Sequence, residues 1–156
     1  MLEIIAVLIL IGVVASIFFT RLPTTSQAVV TEADRLALHL RHAQIRALSD
    51  TTWWEIEFLS GGSSYRLRNN PAPNMPGDAL PAYLPGTFDP ALGESLSQRV
   101  FRGGVTASGP ASIRFDSWGR PLQSDGSPSS GEIQITLSEG PNSRHITIQP
   151  WTGFLE

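Results

Sequence analysis

The types of residue present limit the chemistry that this chain could perform. All 11 basic residues are Arg, and the sequence contains neither Lys nor Cys. Without Lys there is no P-loop lysine and no Schiff-base chemistry, and without Cys there is no thiol nucleophile, disulfide or Cys-type zinc site. Three His residues remain, and the net charge is −3. A protein that binds a phosphate backbone normally has a basic face instead.

Two of the histidines, His39 and His42, are three residues apart in a segment with helical periodicity. Residues at this spacing can face the same way on a helix. Two His alone make a poor zinc site, because zinc takes three or four protein ligands, and the sequence has no H-E-x-x-H motif. We therefore predict that both histidines lie on a solvated helix face.

Acidic side chains in turns could hold a calcium ion. Asp116, Asp125 and Glu132 lie in or beside segments rich in Gly and Ser. These segments lack the dense alternation of Asp and Asn of a calcium loop, so we predict that the carboxylates stabilise turns instead. His145 lies on a predicted strand, but the G-x-S-x-G motif of a Ser–His–Asp hydrolase is absent. We predict no catalytic site, no metal and no cofactor.

Aromatic residues could form a core or a partner surface. The four tryptophans are Trp53, Trp54, Trp118 and Trp151. Trp54 alternates in phase with Ile56 on a predicted strand and is assigned to the core, whereas Trp53 points to the opposite face. Exposed aromatic side chains are typical of partner surfaces, but burial is the more common outcome, so we predict that most of the four lie in the core.

The N-terminal segment is long and apolar. An uncharged run of 17 residues begins at Ile4 and ends at Thr20, and Arg21 follows it directly. As a helix this run is about 26 Å long, at the lower edge of a membrane span. A cleavable signal peptide needs a basic region before the run and a small-residue site after it, whereas Glu3 and the sequence FFTRLP stand there. The segment predicts a membrane-embedded helix.

A second helical pattern follows a break at Pro23, which can kink a continuing helix. Between residues 27 and 48, apolar residues recur at spacings of three and four, which is typical of an amphipathic helix. The predicted apolar stripe contains Val29, Ala33, Leu36, Ala37, Leu40, Ala43, Ala47 and Leu48. The abundance of Ala favours close packing on a sheet, and Ser49 and Asp50 end the helix.

After residue 50 the hydrophobic period changes to two, which predicts strands. Residues 54–58 and 65–68 form a hairpin around the turn sequence SGGS, and a second hairpin turns at residues 138–143. Residues 69–98 contain six of the 12 prolines and predict a long surface loop with a short helix near 91–97. Further strands are predicted at 99–105, 112–116, 132–137 and 145–149, with turns at 119–121 and 124–131.

The positions of Glu3 and Gly12 in the aliphatic run resemble the N-terminal signature of type IV pilins and type II secretion pseudopilins. Residues 33–48 (ADRLALHLRHAQIRAL), 112–121 (SIRFDSWGRP) and 146–156 (ITIQPWTGFLE) resemble the GspH/FimT group of minor pseudopilins, and MshC-type minor pilins are similar. In that family the mature chain has two more residues before the triplet that ends in this Glu. A short basic leader that ends in Gly precedes those two residues. The family's proline falls a few residues before Pro23.

The resemblance implies a pilin-like α+β fold, with a long N-terminal helix, transmembrane in its first half, packed on an antiparallel sheet. Residues 1–22 are then the transmembrane and filament-core helix, residues 23–50 its amphipathic second half, and residues 51–156 a β-rich periplasmic domain. The family's members are structural subunits and not enzymes. Glu3 would pair with the N-terminal amine of a neighbouring subunit, since a partner charge offsets the cost of a buried carboxylate. Gly12 would allow close helix packing.

The resemblance also implies partners: other pilin or pseudopilin subunits, a prepilin peptidase, and an inner-membrane platform with a cytoplasmic ATPase. Minor subunits of this family belong near the filament tip. Two alternatives stay open, a major filament subunit of the same machinery and a membrane-anchored periplasmic module that binds glycan or DNA. For DNA a basic patch is expected, and two pairs of arginines, Arg66 with Arg68 and Arg99 with Arg102, are few for that purpose.

Overall fold

The computed structural model describes residues 27–70, 80–123 and 125–156. One α-helix, α1 (Gln27–Asp50), lies in the described part and confirms the predicted amphipathic helix, which continues two residues beyond Leu48. Its 24 residues span about 36 Å. Glu3, Ile4, Gly12, Thr20 and Pro23, with the predicted segment 1–22, lie outside the described residues. No helix among the described residues is long and apolar enough to cross a membrane.

The strands form two antiparallel sheets. The described strands are β1 (Trp53–Leu59), β2 (Ser64–Asn70), β3 (Leu80–Pro81), β4 (Gln98–Val100), β5 (Thr106–Ser108), β6 (Ser112–Phe115), β7 (Pro121–Leu122), β8 (Ile133–Glu139) and β9 (Asn142–Ile148). The larger sheet has the order β3-β2-β1-β6-β7, with β4 also paired to β2, and the smaller sheet has the order β5-β8-β9. Both predicted hairpins, β1–β2 and β8–β9, are present.

Helix α1 packs on both sheets and closes one hydrophobic core. It contacts β1 and β6 of the larger sheet and β8 and β9 of the smaller one. Its fully buried apolar residues are Val29, Ala33, Leu36, Leu40, Ala43 and Ala47. They meet alternate strand residues such as Ile56, Ile113 and Ile148. The helix on one side of antiparallel sheets confirms the predicted α+β fold.

Two predictions for the helix faces are wrong. Leu48, predicted in the apolar stripe, is 49% exposed, and His39, predicted on the solvated face, is buried. Glu32 of the same helix is buried as well. The helix is covered on a second flank by the segment from Leu80 to Phe101, which the period of three and four does not reveal. Leu84 of that segment is fully buried.

The segment between the hairpins also differs from the prediction. The short helix near 91–97 is a single 3-10 turn, Pro90–Leu92. Of the strand predicted at 99–105, only residues 99–100 are in a strand, β4, and β5 begins after it at Thr106. The predicted turn at 119–121 ends in the two-residue strand β7. The described part of the loop predicted at 69–98 is held by backbone hydrogen bonds. Ala82 N donates to Leu67 O of β2 at 2.9 Å, and Leu84 N donates to Leu96 O within the loop at 2.8 Å.

Candidate functional site

His39 joins the helix to the sheet and to the loop at residues 82–97. Its Nε2 lies 3.0 Å from the Pro85 carbonyl oxygen, and its Nδ1 lies 2.8 Å from the Tyr65 hydroxyl. Because a carbonyl can only accept, Nε2 carries the proton and Nδ1 accepts from Tyr65. Burial lowers the pKa of His39 to about 4, so the ring is neutral at pH 7. The prediction of a solvated helix face is therefore wrong for His39, while His42 is half-buried.

A buried ion pair ties the same loop to the helix. Arg35 Nη2 donates to Glu94 Oε1 at 2.7 Å, and Arg35 Nη1 lies 3.4 Å from Glu32 Oε2. The Asp89 amide donates to Glu94 Oε2 at 2.7 Å. Burial by itself raises the pKa of Glu94, but the hydrogen bonds from Arg35 and from this amide outweigh it and lower the pKa. The Glu94 carboxylate therefore stays ionised inside the protein.

Arg99 of β4 links separate parts of the same loop. Its side chain is fully buried and donates to four backbone carbonyls, those of Leu84, Gly86, Ser95 and Gln98. The bond to Leu84 O measures 2.9 Å. We call the contacts of His39, Arg35, Glu94 and Arg99 the loop clamp. Apart from Arg99 Nε, which is buried without a partner, most of its donors and acceptors bond within the chain, so it orders a surface rather than binding a ligand.

The arginine pairs considered for DNA do not form an open basic patch. Arg66 Nε and Arg68 Nη1 both bond to Glu57, at 2.7 and 3.1 Å. Arg99 is buried in the loop clamp, whereas Arg102 is exposed. Most of these charges are therefore compensated or covered.

A second region lies at the C-terminal end of α1, where a turn carries Trp118. Asp116 is buried and holds this turn: its Oδ1 accepts from the amides of Trp118 (2.9 Å) and Arg120 (2.8 Å), and its Oδ2 accepts from Arg120 Nε at 2.8 Å. The predicted role of this carboxylate in a turn is confirmed. Trp118 itself is 73% exposed.

A neighbouring turn carries Trp151. Gly153 N donates to Gln149 O at 3.0 Å, and Gln149 N donates to Phe154 O at 2.8 Å. Trp151 has a φ of +67°, a left-handed conformation that is unusual for a bulky residue. It is 59% exposed, and Phe154 is 60% exposed. The prediction that most tryptophans are buried is therefore wrong for both Trp118 and Trp151.

Gln44 of α1 binds the two turns together. Its Nε2 donates to Gly119 O at 2.9 Å and to Thr152 O at 3.0 Å. Leu48 lies against Gly119, where an added Cβ would be 3.2 Å from the leucine side chain. The exposed apolar residues on or beside these two turns are Leu48, Trp118, Trp151 and Phe154. We call them the aromatic surface.

The remaining candidate residues are accounted for locally. Trp54 is buried as predicted, and Trp53 is half-buried beneath the Arg114 guanidinium, 4.4 Å from the ring centroid. Asp125 accepts from Ser127 N and Oγ, which confirms its turn role. Glu132 Oε1 accepts from Gln149 Nε2 at 3.1 Å, and His145 Nδ1 lies 2.9 Å from Thr136 Oγ1. Within the described ranges, no three His, Asp or Glu side chains are grouped as metal ligands.

A signal for the aromatic surface exists in the sequence but is weak. Both exposed tryptophans stand one or two residues from a Gly, in W-G and W-T-G, within segments that read as turns. In a tight turn at the surface, a bulky side chain has few orientations in which it can reach the core. The loop clamp leaves no such signal, because the pairs that tie it to the helix, His39 with Pro85 and Arg35 with Glu94, are 46 and 59 residues apart along the chain.

Comparison with known proteins identifies the family. A sequence model of the family described as type II transport protein GspH matches residues 32–152. None of the curated proteins matches the chain. The crystal structure of the Pseudomonas aeruginosa (strain PAO1) type IV minor pilin FimU in space group P21 is similar, with a TM-score of 0.58, 16% identity, and coverage of 82% of this chain and 86% of that chain. The P65 form gives a TM-score of 0.53, 15% identity, and coverage of 81% and 89%.

At such identities the likeness to FimU shows the fold alone, which is the pilin-like arrangement of a helix on antiparallel strands. The family match is the broader finding, because it covers most of the chain and nearly all of the described residues. Together they show that this protein belongs to the GspH family, whose members are pilin-like minor pseudopilins.

Proposed function

We propose that the protein is a minor subunit of a type II secretion pseudopilus or a type IV pilus and lies near the filament tip. The observation that carries this proposal is the GspH family match over residues 32–152, joined to the uncharged run of residues 4–20 that precedes it. The subunit has a structural role and no enzymatic one.

Before assembly, the run of residues 4–20 holds the subunit in the inner membrane, with the β-rich domain in the periplasm. Assembly moves this helix from lipid into the filament core, where apolar helices from neighbouring subunits replace the acyl chains. The chain has no P-loop lysine, so the energy comes from a separate cytoplasmic ATPase acting through an inner-membrane platform.

Glu3 sets the register of each new subunit. An unpaired carboxylate among apolar helices is costly, and the N-terminal amine of a neighbouring subunit offsets that cost. Gly12 permits close approach of the helices, and Pro23 bends the chain where it leaves the filament core. A prepilin peptidase would produce the mature N-terminus two residues before Met1 and methylate the amine.

The described part of α1 supports this arrangement. One side of the helix packs on both sheets, while Leu38 and Ile45, at 59% and 61% exposure, lie on a side that the domain leaves open. The exposed Asp34 and Arg41 share this open side, which is therefore mixed in character. Its apolar residues fit a helix that also meets neighbouring subunits.

The first experiment is the mass and N-terminal sequence of the native protein recovered from membranes. A methylated chain that begins two residues before Met1 would establish prepilin processing, whereas an unprocessed chain that begins at Met1 would contradict it. Glu3→Gln should then insert into the membrane normally but be lost from sheared filaments, and Glu132→Gln, an exposed glutamate of the domain, is the matched control. Equal incorporation of both variants would refute the role of Glu3.

Quantification in the same filaments separates the minor subunit from the alternative of a major one. A minor subunit near the tip should be present in a few copies per filament, independent of filament length. Copy number that grows with length would instead indicate a major subunit.

A further inference from the structure

We propose that the aromatic surface is the docking site for a neighbouring pilin-like subunit, stacked on the end of the domain that is farthest from Gln27. This inference rests on the proposed function, because it specifies how the β-rich domain of a filament subunit meets the next one.

The aromatic surface is built to hold its side chains outward. Asp116 fixes one turn, a network of backbone bonds fixes the other, and Gln44 joins the two through bonds of 2.9 and 3.0 Å. Trp151 keeps a left-handed φ of +67° and still leaves most of its indole in solvent. A residue held in such a conformation points to a role outside the monomer, since the domain gains little from it.

The position of the surface excludes the lipid bilayer as its ligand. Leu48 lies roughly 30 Å along α1 from Gln27, at 1.5 Å per residue. The apolar run that enters the membrane precedes Gln27 in the chain. The aromatic surface therefore faces away from the membrane that holds the subunit.

The charges around the surface argue against a polyanion such as DNA. Arg46 pairs with Asp50 at 3.1 Å, and Arg120 pairs with Asp116 at 2.8 Å. These arginines are compensated within the chain, so they add no strong positive potential to attract phosphates. The aromatic surface is therefore largely neutral, and a polyanion is not the partner that it favours.

The size and composition of the surface fit a protein. Its three aromatic side chains alone expose about 400 Å² of apolar surface, if each offers about 200 Å² when free. That equals the largest apolar patch of a typical monomer and is about half of what one partner contributes to a stable interface. Trp is also the residue most enriched among interface residues that dominate binding energy. A sugar would cover only part of this area.

Filament polarity then defines which face of the neighbour is met. Subunits in a pilin-like filament share one direction, so the aromatic surface of one cannot meet the aromatic surface of the next. It must meet a different face near the opposite end of its neighbour, a heterologous contact of the kind that builds open filaments.

The absence of Cys from the sequence allows a direct test in cells that assemble the filament. Thr152→Cys places a single thiol between Trp151 and Gly153 without removing an aromatic side chain, and Thr87→Cys is the matched exposed control in the loop. Both are labelled with benzophenone-maleimide in the full-length protein and irradiated. We expect Thr152→Cys, but not Thr87→Cys, to form an adduct that mass spectrometry identifies as this chain bound to a pilin-like subunit.

A second set of variants tests whether the aromatic side chains hold the partner. Trp118→Ala or Trp151→Asn in the Thr152→Cys background should reduce the adduct at least about tenfold. Tyr83→Ala, which removes an exposed aromatic residue (58%) outside the surface, should leave the adduct unchanged. All three variants should keep the unfolding midpoint of the parent protein, which separates lost docking from lost folding.

The outcomes distinguish this inference from the function on which it rests. If the wild-type chain is absent from sheared filaments, the proposed function fails and the inference fails with it. If the chain is present in filaments but Thr152→Cys gives no adduct, or gives one with lipid, DNA or an exported protein, the inference alone is overturned.

Discussion

Two regions along helix α1 reverse the usual placement of polar and apolar residues in opposite ways. Beside Arg35 and His39, near the middle of the helix, the loop clamp buries ionised and polar side chains, with Glu94 and Arg99 almost without solvent contact. Toward its C-terminal end, the aromatic surface places two tryptophans and a phenylalanine in solvent. Both arrangements cost free energy in the monomer, so each must be compensated elsewhere.

The compensation differs between the two regions. In the loop clamp it comes from within the chain, because each buried charge has hydrogen-bonding partners that the fold itself provides. In the aromatic surface the backbone contacts are satisfied, and the side chains are left over for a partner. Substitutions in the loop clamp should therefore change stability, whereas removal of exposed side chains from the aromatic surface should change association.

The largest loss of stability is expected for Arg99→Met. This substitution leaves the carbonyls of Leu84, Gly86, Ser95 and Gln98 without the donor that they share. We expect the free energy of unfolding to fall by about 3–5 kcal/mol, as measured by urea titration of the purified protein.

The matched control for this experiment is Arg102→Met. Arg102 is 51% exposed, and its nearest ion-pair contact, with Glu94, is 3.8 Å long. Its loss should cost less than about 1 kcal/mol. Equal effects of the two substitutions would mean that the carbonyl contacts of Arg99 contribute nothing beyond charge.

The next effect is a pH dependence that belongs to His39. Its pKa is about 4 in the folded protein, against 6.5 as a free side chain, because it is buried. Between these values the unfolded chain binds the proton and the folded one does not, so stability is complete above pH 6.5 and falls as the pH falls toward 4. A difference of about 2.5 units corresponds to roughly 3 kcal/mol.

His39→Gln should remove most of this loss, while His145→Gln, an exposed histidine of β9, should retain it. Some dependence of the same sign will persist, because burial and Arg46 lower the pKa of His42. Burial raises the pKa of Glu32, which acts in the opposite direction as the pH falls. The measurement is the unfolding free energy of each variant at pH 7 and pH 5. An identical drop in wild type and His39→Gln would disprove the assignment.

Much of the fold could be predicted from the sequence, because it depends on local periodicity. The spacing of Val29, Ala33, Leu36 and Leu40 predicts the helix, and alternation predicts the two hairpins. The failures lie where contacts are distant along the chain. Leu48 is predicted in the apolar stripe, but its neighbour Ala47 takes the core position, and Leu48 lies beside the Gly119 turn with 49% exposure.

The candidate sites were less predictable for the same reason. His39 looks like a surface residue until the loop carbonyl of Pro85, 46 residues away, supplies its partner. From the sequence, Arg99 is expected on the surface, because no sequence pattern shows that the carbonyls of its own loop point toward it. The exposure of Trp118 depends on a turn whose geometry is set by one carboxylate, that of Asp116.

The smallest of the three losses of stability is expected for Gly153→Ala, which tests whether the two turns of the aromatic surface are truly in contact. Gly153 has a φ of +66°, and an added Cβ would lie 2.3 Å from the Gly119 carbonyl oxygen and 2.4 Å from Gln44 Nε2. Gly140→Ala is the matched control, since its φ is +55° and no atom lies within 4 Å of the added Cβ. The control should cost about 1 kcal/mol for its left-handed backbone, and Gly153→Ala about 2 kcal/mol, because the turns must also separate. That separation moves Trp151 relative to Trp118, so Gly153→Ala should weaken docking while both tryptophans are still present. A loss no larger than that of Gly140→Ala would mean that the turns adjust independently and that the aromatic surface is not one rigid unit.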